Sequence, residues 1–176
     1  MTPSAPRTVA LEAELERLNP ASFGWAVCCC RWDQEEAAEV LQAAYLKVLE
    51  GRARFDGRSS VKTWLFAVIR RTAAEARRRR WLRALALGRW AALGARPTPA
   101  RDPEAALSLS ERSRTLVEAL RGLSTRQSSV LHLVFYEDLT VGEAARALGI
   151  ADGTARRHYE RGKEALRRRL AAAGPG

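Results

Sequence analysis

Apolar positions recur along most of this chain at intervals of three and four, the period of an amphipathic helix. Val9–Leu18 reads as a first short helix, and Pro20 is expected to interrupt it. Ser22–Arg31 reads as a second, with Phe23, Ala26, Val27 and Cys30 along one side. Asp33 offers an N-cap with Glu36 three residues on, the capping-box spacing. The helix behind it, Gln34–Glu50, carries the stripe Ala37, Val40, Leu41, Ala44, Tyr45 and Val48 and stops at Gly51. Arg52–Ser60 is a turn-rich connector in which Asp56–Gly57 favours a tight turn and Ser59 or Ser60 can cap the next helix. That helix places Val61, Trp64, Leu65, Val68, Ile69, Thr72, Ala73 and Ala76 on one stripe, with Lys62, Arg70 and Arg71 opposite, and runs into Arg77–Arg80. Trp64, on the stripe, is expected in the core. Trp81–Leu93 either extends this helix or forms another.

Arg96–Pro103 holds three prolines in eight residues and is the best linker in the chain. Helix is expected again over Glu104–Leu120, broken by Gly122. Ser124 with Gln127 marks another capping box, opening Thr125–Tyr136, which buries Val130, Leu131, Val134 and Phe135. The last pattern is the most specific. Thr140 and Glu143 form a capping box, Ala144, Ala145 and Leu148 an apolar side, and Gly149 a left-handed stop. Ile150 can plug the corner, and Asp152 suits the next N-terminus. A final helix then spaces Ala155, Tyr159, Gly162, Leu166 and Leu170 on one side, against Thr154, Arg156, Arg157, Glu160, Arg161 and Lys163 on the other. Short helix, glycine turn and basic second helix make a helix-turn-helix, whose second helix would enter a DNA major groove. The pattern amounts to an all-α fold of two helical domains: residues 1–95, a linker at 96–104, and residues 105–176.

Charge strengthens the nucleic-acid reading. Of 176 residues, 30 are Lys or Arg and 20 Asp or Glu, a formal net charge of +10. No apolar run approaches the roughly 20 residues of a membrane span, so no membrane insertion is expected, and a cytoplasmic location is. The three cysteines, Cys28, Cys29 and Cys30, are consecutive. Neighbours on a helix diverge by about 100°, so they read as small buried hydrophobes, not as a disulfide framework or chelating pair. His132 and His158 lack ligand spacing, and neither a metal nor another cofactor is expected.

Phe55-Asp56-Gly57-Arg58-Ser59-Ser60 followed by Thr63-Trp64-Leu65-Phe66 resembles region 2 of the extracytoplasmic-function sigma factors of bacterial RNA polymerase. Gly122-Leu123-Ser124 through Leu166, with Arg126-Gln127 near its start and Gly153-Thr154 opening the last helix, resembles region 4 of the same family. The resemblance implies a protein that is no enzyme but lends sequence specificity to one. The first domain would dock on the polymerase core through the helix that holds Glu39, Leu41, Gln42 and Tyr45, and would read the opened −10 element. Ser59, Ser60, Lys62 and Arg71 are the candidates for that strand. Arg126, Thr154, Arg156, Arg157 and Arg161 are the candidates for the −35 duplex, Arg126 as a phosphate contact. The implied partners are the polymerase core, promoter DNA and an anti-sigma factor. Two rivals are a helix-turn-helix regulator that works without recruiting polymerase, and a recombinase or nuclease. The clustered acids Asp33, Glu35 and Glu36 could serve the second rival, but they sit at a cap.

Overall fold

The computed structural model describes residues 5–91, 116 and 118–172. Six helices span α1 (Ala5–Cys29), α2 (Gln34–Leu49), α3 (Val61–Ala91), α4 (Thr125–Phe135), α5 (Val141–Leu148) and α6 (Asp152–Ala172), and no strand occurs among the described residues. The proline-rich stretch 96–103 and most of the helix expected over 104–120 fall outside them; residues 118–121 are helical.

α1 corrects the expectation of two short helices. It runs unbroken with Pro20 inside. Its buried line is Leu15, Leu18, Ser22 and Trp25, which continues on the same face from one side of the proline to the other. Pro20 is exposed, as is Glu16 one turn earlier, so the carbonyl that loses its helical partner can face water. Phe23, placed on the buried side from the sequence, is exposed, and the fully buried aromatic is Trp25. The indole Nε1 of Trp25 donates to the Phe66 carbonyl at 2.9 Å. Its ring centroid lies 5.8 Å from that of Phe66 and 5.5 Å from that of His132. One side chain of α1 therefore joins α3 to α4 while satisfying its only donor.

The turn into α2 holds Arg31 at φ 57° and Trp32 at φ 72°, a left-handed pair without glycine. The Trp32 amide donates back to the Val27 carbonyl at 2.9 Å and closes the end of α1. Asp33 caps α2 by accepting from the Glu36 amide at 2.8 Å. Only this half of the expected box forms, because the Glu36 carboxylate turns away to Arg80, 2.5 Å distant. Ala37, Val40, Leu41, Ala44 and Val48 are buried as their spacing predicts, and Tyr45 is half-buried.

Ser60 starts α3, its hydroxyl accepting from the Thr63 amide at 3.1 Å. α3 then continues for 31 residues through the arginine run to Ala91, and so resolves the connector as an extension of the same helix. Its first half buries Leu65, Phe66, Val68, Ile69 and Ala73 among α1, α2 and the later helices, and Phe66 stacks on Trp25 of α1. Trp64 is half-buried, not deep in the core, and tilts against Phe55 at 5.3 Å. Trp81, Leu82, Leu85 and Leu87 are exposed.

Both capping boxes of the later helices form. Ser124 and Gln127 exchange bonds of 3.1 and 3.4 Å, and Thr140 and Glu143 of 2.9 and 3.2 Å. Gly149 takes φ 58° at the end of α5. The Gly162 backbone lies so near α4 that an added Cβ would meet Gln127 Cβ at 3.1 Å and Leu131 Cδ1 at 3.2 Å. Val130, Leu133, Leu139, Ala144, Ala147 and Leu148 belong to the same hydrophobic cluster as Leu15, Trp25, Leu41 and Ile69. The early and late helices share one core.

Candidate nucleic-acid interface

α6 is fixed by what it buries. Ala155 and Gly162 are small enough to let it lie against α5 and α4, and the Tyr159 ring stacks on Phe135 at 5.7 Å. Thr154, Arg156, Arg157 and Arg161 are then all exposed. Thr154, Arg157 and Arg161 follow one another by three and four residues and share a line. Arg156 opens an adjacent line. None of these arginines forms an ion pair among the described residues, and the nearby Glu160 goes instead to Lys163 at 3.3 Å. Unpaired guanidinium groups on the first turns of the second helix suit bidentate hydrogen bonds to guanine edges. Arg126 is exposed in the first turn of α4, well placed for a phosphate. Every residue singled out for duplex DNA is thus exposed, four on the last helix of the helix-turn-helix and Arg126 on α4 before it.

The strand-binding candidates are placed differently. Ser59 is half-buried and its hydroxyl donates to the Ser60 carbonyl at 3.2 Å, while the Ser60 hydroxyl is taken up by its cap. Arg71 is exposed. Lys62 is held by the late helices. Its ammonium donates to the Glu137 carbonyl at 2.7 Å and lies 2.9 Å from the Glu137 carboxylate. Glu137 sits in the turn between α4 and α5 and is buried, 6% exposed. His132 Nε2 is 3.5 Å from its other oxygen. Burial pushes the Glu137 carboxyl up, but His132 and Lys62 outweigh it and hold the group below its ordinary range.

α2 divides its candidates. Glu39 and Gln42 are exposed. Leu41 is in the core, 7% exposed, so a docked protein would touch its neighbours and not Leu41 itself. Tyr45 is half-buried, its hydroxyl 3.1 Å from Asn19 Oδ1. Two residues absent from the sequence-based candidates, Leu46 and Leu49, are 46% and 62% exposed. They continue the line of Glu39 and Gln42 by steps of four and three. Their signal was present, since both are large apolar residues off the core stripe. Glu137 and the reach of Arg70 carried no such signal. Arg70 Nε donates to the Ala147 carbonyl at 3.2 Å, across 77 positions of sequence.

The three cysteines are buried on a helix end surrounded by α2, α3 and α4. Burial pushes the Cys28 thiol up to about 11 and that of Cys30 to about 12, and Cys29 is also raised. No described helix is long and apolar enough to cross a membrane.

Comparison with known proteins gives two family matches in this order along the chain. Residues 28–83 match sigma-70 region 2, and residues 119–168 match sigma-70 region 4. The ECF RNA polymerase sigma factor SigX of Bacillus subtilis is 29% identical over 141 residues, covering 78% of this chain and 72% of that protein. The RNA polymerase sigma factor YlaC of the same species is 31% identical over 119 residues, covering 65% and 66%. Among solved structures, the sigma factor RpoE of Bartonella quintana, crystallised with the anti-sigma factor NepR, shares the fold with a TM-score of 0.70. At 22% identity it covers 91% of this chain and 96% of its own. The two regions, their order and these relatives establish that the chain belongs to the sigma-70 family, as a sigma factor of the extracytoplasmic-function type.

Proposed function

We infer that this chain directs bacterial RNA polymerase to specific promoters and catalyses nothing itself. Regions 2 and 4 on one chain carry the reading, because recruiting polymerase and reading duplex DNA need separate surfaces. We assign residues 1–95 to polymerase docking and the −10 strand, 96–104 to the linker and 105–176 to the −35 duplex. Docking falls on the exposed line Glu39, Gln42, Leu46 and Leu49 of α2, where two apolar side chains supply the area that charged residues cannot. Arg156, Arg157, Arg161 and Thr154 read base edges, and Arg126 sets register on a phosphate. Arg71 and the Ser59–Ser60 loop take the opened strand, together with Lys62, whose ammonium is held here by Glu137. Such a protein works in the cytoplasm, with the polymerase. An anti-sigma factor is its natural antagonist, as NepR is bound to RpoE in the structural relative.

Reconstituted transcription with sigma-free core polymerase tests the assignment. Arg156→Ala with Arg157→Ala should abolish the effect of altering the upstream element, at about 1–3 kcal/mol for each lost base contact. Arg71→Ala should preserve that effect and be rescued by a template with an unpaired −10 region. Lys62→Ala tests two things at once, since it also frees Glu137. Equal rescue of both mutants would reverse the assignment of the surfaces. Tight, sequence-specific duplex binding by the free protein at physiological salt would favour a regulator that does not recruit polymerase.

A further inference from the structure

A cleft of about 300 Å³ opens where α3 meets the start of α4 and the turn after α1. Arg31, Arg70, Arg77 and Arg126 line it, with Thr125 and Ser129, and no carboxylate does. Arg31 comes from the left-handed turn, Arg70 and Arg77 from α3, and Arg126 from α4. None of the four forms an ion pair among the described residues. Elsewhere the arginines of α3 find acids, Arg79 with Glu75 and Arg80 with Glu36. Like charges from distant parts of the sequence repel when packing gathers them around a half-enclosed space. Arg70 bears this most. Burial disfavours its charge, and Arg126 and Arg71 add to the effect. One of its five N–H donors is spent on the Ala147 carbonyl. Thr125 and Arg126, on the cleft wall, belong to the first turn of α4, the positive end of its dipole.

We propose that this cleft binds a compact phosphate polyanion, a diphosphate either free or carried by a nucleotide, and that the bound anion ties α4 to α3. A double helix is too wide to enter a space of this size. A single carboxylate would neutralise one of four cations, whereas a diphosphate offers three or more negative charges and oxygens spaced for several forked guanidinium bonds. The occupant draws Arg126, a residue also assigned to the −35 duplex, against the region 2 helices. It therefore favours the packed arrangement of the two regions over one in which the duplex reader is free.

The test uses the full chain in chloride buffer, without polymerase, promoter or divalent metal, so its failure leaves the assignment as a sigma factor untouched. Sodium pyrophosphate is titrated by calorimetry, with ADP and citrate as parallel arms. Saturable binding of one pyrophosphate per chain is expected, together with a rise in melting temperature. Arg31→Gln and Arg77→Gln, both at exposed side chains, should each weaken binding about tenfold. Arg167→Gln with Arg168→Gln, which removes charges on the far part of α6, should not. Circular dichroism checks that each variant is folded. ADP binding tighter than pyrophosphate assigns the site to a nucleotide, and the reverse assigns it to the free anion. Binding that does not saturate, or that falls equally in all variants, overturns the site. Citrate binding as tight as pyrophosphate overturns the phosphate class and points to a carboxylate-bearing partner.

Discussion

Glu137 is the residue on which the contact between the two regions turns. Its carboxylate is buried beside Lys62 and His132, and its pKa lies below the ordinary value of 4.5. A carboxyl depressed in the folded state adds stability that is present in full above its unfolded pKa. That stability is lost as pH falls through the folded value. Glu143, held low by Thr140, titrates in the same direction, so the informative quantity is a difference between proteins. Glu137→Gln should cost about 1.5–3 kcal/mol at neutral pH, the range for a hydrogen bond to a charged group. Melting curves of mutant and wild type should approach one another as the pH drops below about 4, because protonated Glu137 resembles glutamine. A constant gap down to pH 3 would show that the charge of Glu137 contributes nothing. At this scale the sequence was a partial guide. Gly149 and the two later capping boxes were legible because caps and left-handed stops are local chemistry, whereas the box expected at Asp33 and Glu36 forms only in half. Lys62 read as a residue waiting for DNA, because its partner lies 75 positions away.

Among the elements, α2 and the helix-turn-helix were legible as whole units, since one stripe and one set of caps define each. α1 was not. A proline normally ends a helix, and only packing of Leu15, Leu18, Ser22 and Trp25 against neighbouring helices carries α1 past it. The same crowding explains the cysteine run. Three consecutive side chains point in different directions yet all are buried, because the end of α1 is enclosed by α2, α3 and α4. With a thiol pKa near 11, Cys28 is thiolate in only about one molecule per thousand at pH 8. Iodoacetamide at pH 8 should therefore label Cys28–Cys30 far more slowly in the folded protein than in guanidinium. Labelling should speed up only as the helices separate. Equal rates in both states would mean that the end of α1 is open to solvent.

For the molecule as a whole, the family resemblance gave two regions and their order, and the structure adds how they meet. Val130, Leu133 and Leu148 share a core with Leu15 and Ile69, and Trp25 stacks on Phe66 and tilts against His132. Periodicity cannot report which buried faces belong together, so this contact was invisible in the sequence. Unfolding should be one cooperative transition, with tryptophan fluorescence and far-ultraviolet circular dichroism superimposing. The midpoint should not vary with protein concentration. Two separated transitions would mean that the regions fold and melt independently.

The shared core has a kinetic and thermodynamic corollary. Its halves are tethered, and each faces the other at an effective concentration on the order of millimolar, whatever the number of molecules in the cell. Dilution cannot part them. Only a partner that prefers them separated can do so, and its apparent affinity falls in proportion to the closed population. A tenfold excess of closed over open chains weakens capture of the open form about tenfold.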